Sequence, residues 1–358
     1  MDYFNSSGKR LVLGKSLGSG AAATVYCDSS NPNTAIKIFN DRKLQEEKNL
    51  TFRLKKLVEI TQVVDFSLKI GAHNRYVGSF PKDLVFDSSK KVVGYLMEQN
   101  QNSFDLTHIL GAREPNSAFH HVKQIMKNDQ LADQLKNQFI YDPNKTIYNR
   151  FVLCSNLALA FSKFYPPKSK NGKNVDLKIL NYDIKPKNIH VYTLPISGKY
   201  AIIPFVLDLD NVTLQTKTQN LSPVSPQFTP EYMAPEGRLD EFYDYFSIAI
   251  ILYQLIFDIH PYYVRGGTRF SDGETMEYYV KNRCFAWGKN RKFLTPQTKN
   301  SWRHNNFNFI SPQLQTLFIR AFDSEIRSNR PAPSEWSAEL KAFIMVNNGK
   351  LNNLFKSA

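Results

Sequence analysis

Apolar and polar residues alternate over short runs in the first hundred positions of the chain. Alternation with a period of two predicts β-strands, and the turn sequence DSSK at 87–90 predicts that two of them form a hairpin. The predicted strands cover residues 11–13, 24–26, 35–39, 83–86 and 92–97. Residues 44–60 differ, because Leu50, Leu54 and Leu57 recur at helical spacing. The N-terminal region is therefore predicted to be β-rich with one helix.

The remainder of the chain follows a helical period. Residues 147–164 carry two apolar stripes, which predicts a wide-faced helix. Residues 245–257 are apolar on all sides, as a buried central helix is. Segments 312–322 and 333–344 each have a proline in the first helical turn, where it is favoured. Residues 100–145 are rich in Gln and Asn with helical patches, and no role is predicted for them.

A chain of 358 residues with 42% hydrophobic residues can bury a large core. Its three cysteines, Cys27, Cys154 and Cys284, are widely spaced, so neither a disulfide framework nor a zinc site is indicated. Residues 245–257 are too few to span a bilayer, and residues 1–10 lack the apolar core of a signal peptide. We therefore expect a cytoplasmic protein with no transmembrane segment.

The chain is strongly basic, with 46 Lys and Arg against 32 Asp and Glu, a net charge of +14. Basic residues gather at 163–178 and at 281–303. Such a charge attracts anionic partners at low salt. The alternative is a solvated basic surface that helps to recruit small anionic ligands or acidic peptides. We favour this alternative, because the sequence contains no clear nucleic-acid-binding motif.

The segment NYDIKPKNI at 181–189 carries the most informative spacing of chemical groups. Asp183, Lys185 and Asn188 precede an apolar strand at the spacing of a phosphotransfer loop. The segment resembles the H-R-D-x-K-P-x-N loop of protein kinases, although Asn181 and Tyr182 replace His and Arg. The resemblance implies that Asp183 accepts or orients the substrate hydroxyl proton, Lys185 neutralises the transferred phosphoryl group and Asn188 holds Mg²⁺.

The segment LGSGAAATV at 17–25 resembles the glycine-rich hairpin that covers the phosphates of ATP in these kinases. The resemblance assigns Gly18, Gly20 and Val25 to nucleotide binding. Glycine lets backbone N–H groups approach phosphate oxygens closely. Alanine replaces the usual third glycine at Ala23 and the usual aromatic at Ala22, so we expect a smaller, stiffer loop tip. An ordinary turn is the alternative interpretation.

The segment AIKIF at 35–39 resembles the kinase strand that carries the ATP-contacting lysine. Strand alternation places Ala35 and Lys37 on one face. The resemblance gives Lys37 two partners, the phosphates of ATP and a glutamate on the next helix. Helical phase favours Glu47 over Glu46 as that glutamate. A solvated acidic first turn fits either residue equally well.

The strand ending in YLME at 95–98 is similar to the one that enters the kinase hinge. By that register Met97 lies beside the adenine pocket, and the backbones of Glu98 and Asn100 pair with the adenine edge. Plain core packing explains Met97 equally well.

The segment VLDLD at 206–210 stands where kinases have D-F-G. The resemblance makes Asp208 a Mg²⁺ ligand, which suits a hard oxygen-binding cation. Asp210 replaces the glycine, brings a second carboxylate near the metal and removes a flexible hinge. This D-x-D, together with the R-P-x-x-x-x-W pattern at 330–336, also resembles bacterial kinases associated with stress and tellurite resistance.

The segment TPEYMAPE at 229–236 resembles the end of the kinase activation segment, which receives the peptide substrate. The resemblance pairs Glu236 with Arg330. It also matches Asp244 to the aspartate that begins the central helix and supports the catalytic loop. All three residues are structural in this interpretation.

Together these motifs resemble the eukaryotic-like serine/threonine protein kinases. The resemblance implies an α+β, bilobal protein-kinase-like fold, with a small β-rich N-lobe at 1–99, a larger α-helical C-lobe at 100–358 and one catalytic domain in all. It implies transfer of the γ-phosphoryl group of ATP to protein hydroxyls, with Mg²⁺ or Mn²⁺, and autophosphorylation. The main alternative is a pseudokinase that acts as a binding or scaffold module, favoured by Tyr182, Ala23 and Asp210. A small-molecule phosphotransferase fits less well, because such enzymes lack the A-P-E segment.

Tyr182 bears on regulation, because kinases switched by phosphorylation commonly bind the new phosphate with an arginine at this position. Tyrosine carries no positive charge. We therefore predict that phosphorylation of the segment 208–236 is not required for activity.

Overall fold

The computed structural model describes residues 2–70, 73–99, 103–110, 143–196, 199–224, 228–347 and 350–351. The chain divides into two compact units. The first, here called the β-unit, comprises Met1–Ser103, Pro166–Asn181 and Phe205–Pro226. The second, the helical unit, comprises Phe104–Tyr165, Tyr182–Pro204 and Gln227–Ala358. The fold is of the mixed α+β class, as predicted.

A seven-stranded antiparallel sheet forms most of the β-unit. Its strands are β1 (Tyr3–Asn5), β2 (Arg10–Leu11), β3 (Leu13–Ser19), β4 (Ala23–Asp28), β5 (Asn31–Phe39), β8 (Asp83–Asp87) and β9 (Val92–Glu98). Their spatial order is β2-β1-β8-β9-β5-β4-β3. Two further strands of this unit, β6 (Ser67–Ile70) and β7 (His73–Tyr76), form a separate hairpin. The hairpin predicted for residues 83–97 is confirmed, because β8 pairs antiparallel with β9.

Strand β5 separates two apolar clusters. Ala35 and Phe39 belong to one buried cluster and Ile36 belongs to another, as the alternation of side chains predicts. Gly94 on β9 lies directly against the main chain at Lys37, where a Cβ atom would clash with the lysine carbonyl. Only glycine allows this approach, which fixes the register of the two central strands.

The helix predicted over 44–60 is two helices in the structure, α1 (Asp41–Glu46) and α2 (Leu50–Val63). The side chain of Asn40 caps α1 by accepting a hydrogen bond from Lys43 N at 2.9 Å. Glu47 leaves the helical conformation with ψ 77°. It thus lies in the break between the helices, which the apolar pattern alone does not reveal.

The β-unit is completed by a small sheet built from later parts of the chain. It contains β11 (Lys178–Leu180), β14 (Thr213–Gln215) and β15 (Asn220–Leu221), in the order β11-β14-β15. These strands bring the segment 205–226 into the same unit as Lys37.

The helical unit is built around an almost wholly buried helix, α4 (Glu241–Phe257). The other helices described here are α3 (Pro143–Phe161), α5 (Met276–Lys281), α6 (Pro296–Lys299), α7 (Trp302–Asn305), α8 (Pro312–Phe322) and α9 (Pro333–Val346). Asp240 caps α4 by accepting a hydrogen bond from Phe242 N at 3.0 Å. A three-stranded sheet joins β10 (Phe104–Asp105), β12 (Ile189–Ile196) and β13 (Lys199–Val206). Over the described ranges, no helix is both long enough and apolar enough to cross a membrane.

Candidate active site

Lys37 on β5 is the centre of a buried charged network in the β-unit. Its Nζ lies 2.6 Å from Asp210 Oδ1 and 3.1 Å from Asp208 Oδ1. Tyr95 Oη on β9 donates a hydrogen bond of 2.8 Å to the same Asp210 oxygen. The two carboxylates differ in exposure, because the Asp210 side chain is 1% exposed and that of Asp208 is 54% exposed.

Lys37 and Asp210 each hold the other in its charged form. Burial alone raises the pKa of Asp210, but the charge of Lys37 and the hydrogen bonds from Lys37 and Tyr95 bring it below its ordinary value. Burial acts to lower the pKa of Lys37, yet the Asp210 charge and then the other neighbours hold it well above its ordinary value. The network is therefore a fully ionised, buried pair with a second aspartate open to solvent.

The predicted pair of Lys37 with Glu47 is not formed, and Glu46 does not replace it. Glu47 Oε1 lies 2.7 Å from Arg53 NH2, and its Oε2 forms an ion pair with Lys43. Glu46 forms an exposed pair with Arg42 at 2.8 Å. The physical reason is the break after α1, which turns Glu47 toward the buried guanidinium of the next helix.

Arg53 is a member of this network that the sequence interpretation missed. Its side chain is fully buried, and NH2 also donates a hydrogen bond of 2.9 Å to the backbone carbonyl of Asp210. Burial lowers the pKa of Arg53, and the charges of Glu47 and Asp210 oppose that effect. In the sequence, Arg53 looks like an ordinary residue of an amphipathic helix. The one available signal was that it lies on the apolar stripe of α2, where a buried arginine needs an anionic partner.

The glycine-rich hairpin joins β3 to β4. Gly20 N donates to Ala23 O at 2.9 Å, and Asn40 Nδ2 donates to Ala21 O at 2.6 Å, which ties the tip to the start of α1. A Cβ atom at Gly18 or Gly20 would meet nothing within 4 Å, and neither residue has a positive φ. The fold itself therefore places no demand for glycine at these two positions.

The other predicted nucleotide contacts of the β-unit lie on neighbouring strands. Val25 pairs with Lys37 across β4 and β5, and Ala35 pairs with Met97 across β5 and β9. Met97 is buried in one cluster with Ala35, a position consistent with core packing as well as with ligand contact. Glu98 forms an ion pair with Lys82. Asn100 lies outside the described residues.

The helical unit brings together the side chains of the predicted phosphotransfer loop. Lys185 Nζ lies 2.7 Å from Asp183 Oδ2. Asn188 Nδ2 donates to Asp183 Oδ2 at 3.1 Å and to the Asp183 carbonyl at 3.0 Å. A short 3₁₀ helix, Pro186–Asn188, folds the chain back so that these groups meet just before β12.

Thr229 completes this set, although the sequence interpretation gave it no role. Its Oγ1 donates to Asp183 Oδ1 at 2.8 Å and accepts from Lys185 Nζ at 3.2 Å. Asp183 thus holds a hydroxyl group on one oxygen and two nitrogen donors on the other. The signal was available in the sequence, since Thr229 begins the TPEYMAPE segment.

Two predicted metal ligands each keep an oxygen that suits Mg²⁺. Asn188 uses only Nδ2 in the bonds above, so its Oδ1 remains an acceptor. Asp208 binds Lys37 through Oδ1 and exposes half of its side chain. Mg²⁺ prefers hard oxygen ligands and usually takes only one or two carboxylates beside phosphate and water.

Ion pairs hold the segment that follows Thr229, and one of them was predicted from the sequence. Arg330 NH2 lies 2.7 Å and 2.8 Å from the two carboxylate oxygens of Glu236, which confirms the predicted pair. Arg283, which the sequence interpretation did not single out, adds a second guanidinium at 2.5 Å from Glu236 Oε1. Asp244 is fully buried and accepts a hydrogen bond of 2.5 Å from Tyr165 Oη.

Comparison with known proteins adds little to these contacts. No family model matches the sequence, and no curated protein matches it. Among solved structures, the chain is similar to the kinase domain of PknI from Mycobacterium tuberculosis, a double mutant. The sequence identity is 12%, the match covers 95% of this chain and 96% of that chain, and the TM-score is 0.47. The side-chain contacts of this chain must therefore carry its functional assignment.

Proposed function

We propose that the protein is an ATP-dependent serine/threonine protein kinase that transfers the γ-phosphoryl group to protein hydroxyls and phosphorylates itself. The observation that carries the proposal is the set of Asp183, Lys185, Asn188 and Thr229, joined by hydrogen bonds and one ion pair. Phosphoryl transfer requires a carboxylate to orient the attacking hydroxyl and a cation to offset the transferred charge. This set supplies both.

Asp183 has the central role in the proposed reaction. Its Oδ1 already accepts a hydrogen bond from the Thr229 hydroxyl, so the carboxylate is oriented to receive a proton from an alcohol. Lys185, beside Oδ2, places a positive charge next to the reacting group. A lysine at this position favours serine or threonine substrates over tyrosine by resemblance to the family.

The β-unit supplies the proposed nucleotide contacts. Gly18 and Gly20 border open space, so no side chain at these positions keeps phosphate oxygens away from the hairpin backbone. Lys37 carries the charge that would face the phosphates, and Asp208 and Asn188 are the proposed Mg²⁺ ligands. Bound Mg²⁺ supplies neutralisation of phosphate charge. Mn²⁺, with the same preference for oxygen ligands, serves as a substitute.

Asp210 is the proposed positioning residue for Lys37. Its buried carboxylate holds Nζ at 2.6 Å and is itself held by Tyr95 and by the Arg53 bond to its carbonyl. Lys37 therefore keeps a fixed anionic partner while Asp208, the more exposed carboxylate, is available to a metal. The role of the helix glutamate in related kinases passes to the D-x-D segment in this chain. That segment and the 330–336 pattern are the only support for kinship with the tellurite-resistance-associated kinases.

A pseudokinase that binds nucleotide without transfer is the second candidate. The contacts of Lys37 with two carboxylates favour it, because a nucleotide phosphate must compete with Asp208 for the amine. Ala23 and Tyr182 are further departures from the kinase pattern. For either candidate we propose protein partners and a cytoplasmic location.

The test is incubation of the purified chain with labelled ATP and Mg²⁺. We expect autophosphorylation, and we expect Asp183→Ala and Asp208→Ala each to abolish it, because each removes a group that stabilises charge in phosphoryl transfer. Asp272→Ala, which removes a carboxylate from an exposed loop, is the matched control and should retain activity. Binding of Mg²⁺-ATP without transfer to the chain itself or to basic-protein substrates would instead support the pseudokinase.

A further inference from the structure

A pocket of about 500 Å³ in the helical unit is lined, among the residues that the structure describes, by five basic side chains and no acidic one. These side chains are Arg269, Lys281, Arg283, Lys289 and Lys292. We call this concavity the basic pocket. Apart from Arg283, which supports Glu236, none of its cations has a role in the function proposed above.

Three of the five cations are balanced by carboxylates outside the pocket. Arg283 pairs with Glu236 at 2.5 Å, Lys281 pairs with Glu277 at 2.9 Å, and Lys289 pairs with Glu325. Arg283 adopts a left-handed φ of 50°, a conformation that favours glycine. Its contacts with Glu236 and with the Ser324 carbonyl at 2.6 Å explain why arginine stands there.

The other two cations, Arg269 and Lys292, form no ion pair among the described residues. Both lie over the ring of Phe293, with Arg269 Cζ at 5.3 Å and Lys292 Nζ at 5.0 Å from its centroid. Such contacts contribute about 0.5–1 kcal/mol each at exposed sites but cancel no charge. Two positive charges therefore lie at one ring without a carboxylate partner in the described part of the chain, and an anion bound beside the ring would offset them.

We propose that the basic pocket binds a phosphorylated segment of a protein substrate, with its phosphoryl group contacted by Arg269 and Lys292. A phosphoserine or phosphothreonine carries about −1.5 to −2 charges and three strong acceptor oxygens, which matches two uncompensated cations. The guanidinium of Arg269 can bind two of these oxygens at once. Only the identification of the segment as a substrate rests on the proposed kinase function.

Other anionic partners fit the pocket less well. Single-stranded nucleic acid requires exposed aromatic faces for its bases, but Phe270 is buried, and the half-buried ring of Phe293 already contacts the two cations. Attraction to an anionic bilayer grows with the number of basic residues at the membrane surface. The basic pocket instead places its two uncompensated charges in a concavity, at a single ring.

The test measures binding to the full chain by fluorescence anisotropy. The probe is a labelled peptide with one phosphoserine among glycine and alanine residues, compared with the same peptide unphosphorylated. The pocket variant is Arg269→Ala combined with Lys292→Ala. The control, Lys341→Ala combined with Lys350→Ala, removes two exposed lysines of the same unit and therefore changes the net charge equally.

We expect the phosphopeptide to bind more tightly than the unphosphorylated peptide, and its affinity to fall about tenfold or more in the pocket variant, because two charge-assisted contacts are lost. The control should stay within about twofold of the unmodified chain. Circular dichroism should show both variants folded. Equal binding of the two peptides, or an equal loss in the control, would overturn the proposal. So would tighter pocket-dependent binding of an RNA oligonucleotide or of phosphatidylserine vesicles.

A parallel measurement on Asp183→Ala separates this proposal from the kinase function. That variant should bind the phosphopeptide like the unmodified chain, so the pocket is tested even if no phosphoryl transfer is detected. In an active enzyme, the pocket variant should raise KM for a substrate peptide that already carries a phosphoserine by about fivefold or more and leave kcat unchanged. A fall in kcat with unchanged KM would show that the pocket does not bind the substrate.

Discussion

Two buried histidines predict a sharp loss of stability in the helical unit as the pH falls. His260 Nδ1 accepts a hydrogen bond from Tyr262 N at 3.2 Å, which leaves the proton on Nε2, where it is donated to the Glu231 carbonyl at 3.2 Å. The neutral ring thus satisfies both partners. A second proton would place an N–H group against the Tyr262 N–H group, so the fold disfavours the charged form.

His304 has the same tautomer, but a hydroxyl group instead of a backbone N–H group donates to its Nδ1. Its Nε2 donates to the Tyr263 carbonyl at 3.0 Å, and its Nδ1 accepts from the Tyr253 hydroxyl at 2.9 Å. A hydroxyl can turn and accept instead, whereas a backbone N–H group cannot. Burial, the main cause in each case, lowers the pKa of His260 from 6.5 to about 3 and that of His304 from 6.5 to about 4.

The magnitude follows from the difference between the folded and unfolded pKa values. Both folded values lie below the unfolded one, so stability is complete above pH 6.5 and falls as the unfolded chain takes up protons below it. A pH of about 5 lies about 1.5 units below the unfolded pKa of each histidine, and each pKa unit is worth about 1.4 kcal/mol of stability. The two histidines together should lower the free energy of unfolding by about 4 kcal/mol, relative to about pH 7.5.

Urea unfolding followed by tryptophan fluorescence measures this effect selectively. All three tryptophans, Trp287, Trp302 and Trp336, belong to the helical unit, and Trp287 Nε1 donates to the His304 carbonyl at 2.7 Å. The comparison is between the unmodified chain and a chain with His260→Gln and His304→Gln. Between about pH 7.5 and about pH 5, the free energy of unfolding of the variant should fall by about 4 kcal/mol less than that of the unmodified chain. This difference does not depend on how stable the variant is at the higher pH.

His108 provides an internal contrast with the opposite sign. The hydrogen bond that His108 Nδ1 donates to the Asp105 carboxylate raises the pKa of His108, against the opposing effect of burial. The stability that this bond contributes is therefore present below the unfolded pKa and is lost as the pH rises through the folded pKa. It therefore cannot produce a loss of stability on acidification. If the double glutamine variant loses as much stability as the unmodified chain, the two histidines are not neutral in the folded state and the tautomer assignment is refuted.

Three further predictions concern the candidate active site. Asp210→Asn should weaken ATP binding about tenfold or more and lower the melting temperature, because breaking a buried ion pair costs about 3–5 kcal/mol. Asp272→Asn in an exposed loop should alter neither, and unchanged ATP affinity in Asp210→Asn would refute the positioning role. Thr229→Val should lower kcat about tenfold to a hundredfold and Thr229→Ser should restore it, since only the hydroxyl binds Asp183; equal rates for the valine and serine variants would show that the hydroxyl is dispensable. Phosphatase treatment should leave the initial rate on an added substrate nearly unchanged, and so should alanine at all five of Thr213, Thr216, Thr218, Ser222 and Ser225. A hundredfold drop in either rate, about 2.7 kcal/mol of transition-state stabilisation, would show that a basic group replaces the arginine missing at Tyr182.

The sequence by itself determined the central strands of the β-unit and three of the four members of the phosphotransfer set; it did not reveal the break after α1 or the role of Thr229. Period-two alternation predicted the hairpin at 83–97 and the opposite faces of Ala35 and Ile36, because side-chain direction in a strand is a local property. The spacing of Asp183, Lys185 and Asn188 likewise predicted that they meet, because all three lie within six residues and a short 3₁₀ helix fixes their arrangement. The pair of Glu236 with Arg330 was found through a long-range resemblance, not through local periodicity.

Only the tertiary structure decided which carboxylate holds Lys37. Asp210 is 173 positions away, and no local pattern measures the competition between it and Glu47. The break after α1 and the buried guanidinium of Arg53 draw Glu47 into a different pair, and Tyr95 on the neighbouring strand β9 fixes Asp210. The pairing of a buried charge depends on all the charges that surround it, because each must find a partner when water is excluded. That condition is set when distant segments pack together, so the sequence supplies the candidates and the packing selects among them.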